Sequence, residues 1–167
     1  MPTQPPEILE LAQHLRTTYL TEAGRRSAVS RAYYAAMHRT KAVFGLPVME
    51  GDSESIHKAV IRAATETGKA PGPARQEASR IASELDLLRR RRAKADYDLE
   101  LDFEKVECED WVTRAQRLVD LCDEAKSKLD AHASKLASPP AVEAPAPSSP
   151  PGGGAPMGPR PGLKRVK

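Results

Sequence analysis

From about residue 6 to residue 136 the apolar positions recur every three or four places, the period of an amphipathic helix. Breakers at Gly24, Gly45-Leu46-Pro47, Pro71-Gly72-Pro73 and the stretch Asp96 to Asp102 divide the chain into five such runs. The first predicts a helix near Pro6 to Tyr19, with Ile8, Ala12, Leu15 and Tyr19 on one face. Pro6 suits its opening turn, where a missing N–H would go unpaired anyway. The second predicts a helix over about Arg25 to Phe44, burying Val29, Ala32, Tyr33, Ala36, Met37, Val43 and Phe44. The third, about Ser53 to Thr67, turns Ile56, Val60 and Ile61 inward, with Ser53 or Asp52 as its cap. The fourth spans about Ala74 to Arg92 on the stripe Ala78, Ile81, Leu85 and Leu88. The fifth starts near Phe103 and carries Val106, Trp111, Val112, Ala115, Leu118, Val119, Cys122, Ala125 and Leu129. Extended to Leu136 it is about 50 Å long, so its end either protrudes or packs on a partner. The expected fold is all-α: an up-and-down bundle of four to five helices over residues 1–136, with no sheet.

Composition alters this picture mainly at the C-terminus. Nine of the fifteen prolines follow Ala137, together with a triple glycine. Such a segment buries too little apolar area to offset its ordering entropy, so residues 137–167 are expected to form a disordered tail. The tail also accounts for the net charge of +3; Met1 to Leu136 carries 22 basic and 22 acidic residues. Bulk charge therefore makes no nucleic-acid platform of the bundle, and any such role needs a local patch. No window approaches the roughly 18–20 apolar residues of a membrane span, and the N-terminus has no secretory pattern. A cytoplasmic protein is expected. Cys108 and Cys122 lie about 21 Å apart along one helix, too far for a disulfide, and read as small buried apolar residues. No close pair of Cys or His ligands suggests zinc.

Candidate chemistry begins with Arg92. Continuing the stripe 78, 81, 85, 88 lands on it, so a guanidinium occupies an apolar position. A charge facing a bundle interior must be paired or line a wet cleft. One reading is a structural salt bridge to Asp96 or Asp98; the other is an anion-binding arginine whose planar fork suits phosphate oxygens. Arg89, Arg90 and Arg91 fall on other faces and are expected to reach solvent. On the second helix Ser27, Arg31, Tyr34, His38 and Lys41 stack along one edge. His38 is the candidate for proton exchange near neutral pH. His57 reads equally well as a surface residue of the third helix. The acidic run Asp96, Asp98, Asp102 and Glu104 either holds a divalent cation or, with better reason, ends one helix and favours the start of the next. Phosphate-loop, serine-hydrolase, zinc-protease and dinucleotide fingerprints are all missing.

Three segments, SRAYYAAMH (Ser30 to His38), SIHKAVI (Ser55 to Ile61) and LRRRRAKADYDLE (Leu88 to Glu100), together resemble HEPN domains over roughly Glu7 to Leu129. These are small prokaryotic helical bundles of toxin–antitoxin and other defence systems. The resemblance implies a homodimer acting on RNA, with two motifs sharing one cleft, and a metal-independent endoribonuclease needing no cofactor. Its motif is an arginine, often followed by asparagine, with a histidine four to six residues on. Arg92 matches the arginine; Ala93 stands for the asparagine and Tyr97 for the histidine, so the motif is degenerate. The implied site is Arg92, Tyr97 and His38 for chemistry, with Arg31, Tyr34 and Asp96 binding substrate. The resemblance also implies an alternative: a non-catalytic partner module of a small nucleotidyltransferase, modified at Tyr97 in an exposed loop.

Overall fold

A computed structural model describes residues 3–46 and 55–137. Five helices make up the architecture: α1 (Pro5–Thr18), α2 (Glu22–Phe44), α3 (Ile56–Lys69), α4 (Arg75–Tyr97) and α5 (Lys105–Ala137). Among the described residues there is no strand. The fold is the expected all-α up-and-down bundle, and α2 is its axis, packing against each of the other four. Alanines make that central position possible. Ala28, Ala32, Ala35 and Ala36 are fully buried on α2 and let neighbouring backbones approach. Around them close Ile81, Leu85 and Leu88 of α4 and Val112, Leu118 and Cys122 of α5.

Helix ends differ from the sequence expectation where capping outweighs periodicity. α2 starts at Glu22, so Gly24 lies inside it and is no break. Thr21 caps the helix, its hydroxyl accepting from Gly24 N–H at 3.2 Å. Gly24 is required for another reason: a Cβ there would lie 2.3 Å from the Tyr19 carbonyl oxygen. The other end of α2 stops at Gly45, whose φ of 73° is left-handed. α3 begins at Ile56 behind Ser55; the proposed caps Asp52 and Ser53 lie outside the described residues, as does the tail from Ser138.

The main correction is the end of α4, which runs five residues past Arg92 to Tyr97. Arg26 of α2 explains it. This arginine is only 7 % exposed and plugs the C-terminal carbonyls of α4, donating to Ala95 O at 3.0 Å, Asp98 O at 2.9 Å and Leu101 O beyond. A cation at that pole also complements the helix dipole.

Four further side chains depart from expectation. Tyr19, Ile56 and Val106 are exposed rather than inward, because each sits at or beyond a helix end where the core has run out. Arg91 goes the other way. It is nearly buried, lying 4.4 Å over the Phe103 ring and 2.5 Å from Glu107. This pair, with Arg114–Glu84 and Lys128–Glu77, fixes α5 antiparallel to α4. Beyond Leu129 the side chains of α5 are all exposed, so its last two turns project past the bundle. Among the described residues no helix is long and apolar enough to cross a membrane.

Candidate functional site

Because α4 is continuous through residue 97, the stripe that buries Leu85 and Leu88 carries Arg92 to the edge of the core. Its side chain is 17 % exposed, on the wall of an open cleft of about 720 Å³ between α1, α2 and α4. Three groups hold the guanidinium. Nε lies 2.7 Å from Asp96 Oδ2, one turn on. That N–H is buried and not aligned on an acceptor, so the contact is ionic rather than a formed hydrogen bond. Nη2 donates to the Tyr34 hydroxyl of α2 at 2.8 Å, and Nη1 reaches the Tyr97 hydroxyl at 3.5 Å. The charge also lies 5.3 Å from the centres of both tyrosine rings, within cation–π range. Burial works against this cation, but Asp96, Tyr34 and Tyr97 outweigh it and hold its pKa above the ordinary guanidinium value.

Neighbouring residues complete the wall. Ser30 Oγ donates to Asp96 Oδ2 at 3.3 Å, which keeps that carboxylate beside Arg92. The acidic run thus spends Asp96 on an arginine; among the described residues no three Asp, Glu, His or Cys side chains converge as a metal site. Arg31 stands 5.4 Å from the Tyr34 ring at the rim. Tyr97 is 74 % exposed and closes α4 as its last residue, so it is a helix-end side chain and not a loop one. Arg92, Tyr97, Tyr34, Arg31 and Asp96 therefore come together. His38 does not join them: it is exposed on α2 and, among the described residues, makes no hydrogen bond, ion pair or ring contact.

The imidazole that packs behind this wall is His57, on α3 and outside the lining of the cleft. Half-buried in the first turn of α3, it places Nδ1 2.7 Å from the hydroxyl of the fully buried Tyr33. Its ring lies 5.6 Å from Tyr33 and 6.0 Å from Tyr34. Burial, and then the positive charges of Arg92, Arg89 and His38, lower its pKa, so it is neutral at pH 7. Sequence reasoning passed over it because its helix face gives no sign of its neighbours. The one available signal was Tyr33, a buried hydroxyl that must find a polar partner. Arg26 was missed for the same reason, since its ligands are backbone carbonyls that no side-chain pattern records.

The HEPN domain family model matches residues 7–125, and the chain belongs to that family. No curated protein matches it in sequence.

Proposed function

We propose that this chain is an RNA-acting HEPN protein of a toxin–antitoxin or other defence system, cytoplasmic and homodimeric, with one helical domain over residues 1–136. The observation that carries the reading is Arg92, a cation held at the core edge with its two terminal nitrogens turned to tyrosine hydroxyls at the cleft wall. A guanidinium so oriented suits the paired oxygens of a phosphodiester. Tyr97, exposed beside it, suits stacking on a base, and Arg31 adds a second cation at the rim. Leu11 and Leu99 line the same cleft and are exposed, which favours a second copy covering this face.

Where the protein cleaves, the RNA 2′-hydroxyl attacks the adjacent phosphorus, the P–O5′ bond breaks to leave a 2′,3′-cyclic phosphate and a 5′-hydroxyl, and Arg92 stabilises the charge growing on the equatorial oxygens. Tyr97 positions the phosphate. A neutral phenol makes a poor base at neutral pH. His38 stands outside the cleft wall and is not assigned the proton, which passes to solvent water. The test is labelled RNA with the wild-type protein and Arg92→Ala. Equal binding and equal cleavage by both would remove Arg92 from the mechanism, and loss in the variant supports it.

A second reading has its own support in Tyr97, whose exposed hydroxyl sits 3.5 Å from a guanidinium nitrogen able to steady an incoming phosphate. Here the domain is the non-catalytic partner of a small nucleotidyltransferase that modifies Tyr97. Mass spectrometry after coexpression with the neighbouring gene product decides it. An unmodified Tyr97 with no co-purification counts against this reading.

A further inference from the structure

Tyr33 is 0 % exposed, and among the described residues its hydroxyl has one hydrogen-bond partner, His57 Nδ1 at 2.7 Å. A buried O–H with one neighbour places its hydrogen there, since the reverse arrangement would strand it without an acceptor. Tyr33 therefore donates, Nδ1 accepts, and the ring hydrogen of neutral His57 resides on Nε2. Among the described residues that second nitrogen has no hydrogen-bond partner, and it is not a buried atom. The ring is not free to turn away, because it is held against both Tyr33 and Tyr34. Tyr34 in turn receives Arg92 Nη2 at 2.8 Å. One tyrosine thus separates a fixed guanidinium from a fixed, unused N–H donor. Lys58, exposed on the same turn of α3, has no ion-pair partner among the described residues.

We infer that His57 is an anion-binding group at the α3 edge beside the cleft, its Nε2–H donating to a non-bridging oxygen of a phosphate neighbouring the one that Arg92 grips. The inference rests on the RNA reading for the identity of that anion, and on the Tyr33–His57–Tyr34–Arg92 chain for the donor. It assigns His57 the part of a neutral hydrogen-bond donor and not of a base. A neutral donor beside an arginine adds a directed contact without a second buried charge, so it costs little to desolvate. The Tyr33 bond is what fixes this role, because it commits the tautomer.

Two probes separate the inference from the reading it rests on. In the intact protein with ¹⁵N-labelled histidine, the His57 imidazole shifts are followed as inorganic phosphate is added at pH 7.5. Affinity for a fully 2′-O-methylated single-stranded RNA, which cannot be cleaved, is measured by fluorescence anisotropy. The variants are His57→Phe, which keeps a ring and loses the donor, and His57→Gln, whose amide keeps an N–H near the Nε2 position. The expected result is an Nε2–H signal that moves with phosphate. RNA affinity should fall about tenfold or more in His57→Phe, as expected for a hydrogen bond to a charged group, and stay within about threefold in His57→Gln. An Nδ1–H tautomer overturns the inference even if His57→Phe fails to fold. So does wild-type RNA affinity in His57→Phe. Phosphate movement of the His57 signal without RNA binding by the wild type supports the donor and overturns the RNA reading. RNA binding that leaves the His57 signal unmoved overturns the donor alone.

Discussion

Tyr34 on α2 touches Arg92 on α4 twice: its hydroxyl accepts from Nη2 at 2.8 Å, and its ring centre lies 5.3 Å from the guanidinium carbon. The two helices are thereby joined at the point where the core gives way to the cleft. Arg92 is consequently oriented before any ligand arrives, which lowers the ordering cost of binding.

Tyr34→Phe keeps the ring and removes the acceptor. The fold should survive with a loss of about 1 kcal/mol, the ordinary contribution of such a bond, measured by urea denaturation. RNA affinity should fall several-fold while Arg92→Ala falls further. Equal stability of Tyr34→Phe and wild type would show that the hydroxyl contact contributes nothing to holding α2 on α4.

Arg26→Ala opens the C-terminal turn of α4 and leaves several buried carbonyls without donors. Destabilisation of about 2–4 kcal/mol is expected, with faster amide exchange over residues 94–98. Arg26→Lys should recover little, since one ammonium cannot reproduce a fork that serves several carbonyls. Recovery of full stability by lysine would mean that charge at the helix end, and not the fork, is what matters.

His57 gives a pH dependence with a definite sign. Its folded pKa lies below the unfolded value near 6.5. Between the two the unfolded chain binds more protons, so stability falls as pH drops below about 6.5. Asp86 has its pKa lowered: burial opposes the shift, but hydrogen bonds from Arg89 and Arg90 win. Its contribution is lost only lower, in the carboxylate range near 4. His57→Gln should therefore flatten the stability profile between pH 7 and about 5.5 and leave the lower limb alone. An unchanged profile in that interval would exclude His57 as its cause.

Both thiols are free and buried, and burial raises both pKa values, that of Cys122 to about 11. Labelling by a maleimide at pH 7 should be negligible in the native protein and complete in denaturant. Rapid native labelling of either cysteine would show that the α2–α5 seam opens readily.

Much of this fold was legible in the sequence, and the reason is periodicity. The stripe Ala78, Ile81, Leu85 and Leu88 is buried as a set, and its continuation located Arg92 at the core edge. What failed lay at helix ends. Gly24 read as a break because glycine disfavours helix interiors, yet packing against Tyr19 and the Thr21 cap decided the matter. Tyr97 read as a loop residue because an acidic run follows Arg92, while Arg26, sixty-six positions earlier, stabilises that last turn. The site divides the same way. Arg92 with Asp96 and Tyr97 is local to one helix and visible; Tyr34 was reachable from helix spacing. The His57–Tyr33 contact joins two helices with no pattern in common, and only packing reveals it.

Because α5 runs antiparallel to α4, its first turn lies near the Arg92 end of the molecule and its last lies at the far pole, about 50 Å off along its axis. The described chain therefore ends at Ala137 on a stiff rod pointing away from the tyrosines. Deleting everything after Ala137 should leave the chemistry of the cleft intact. Anything grafted there, a fluorophore or an affinity handle, would report on the protein without obstructing its working end.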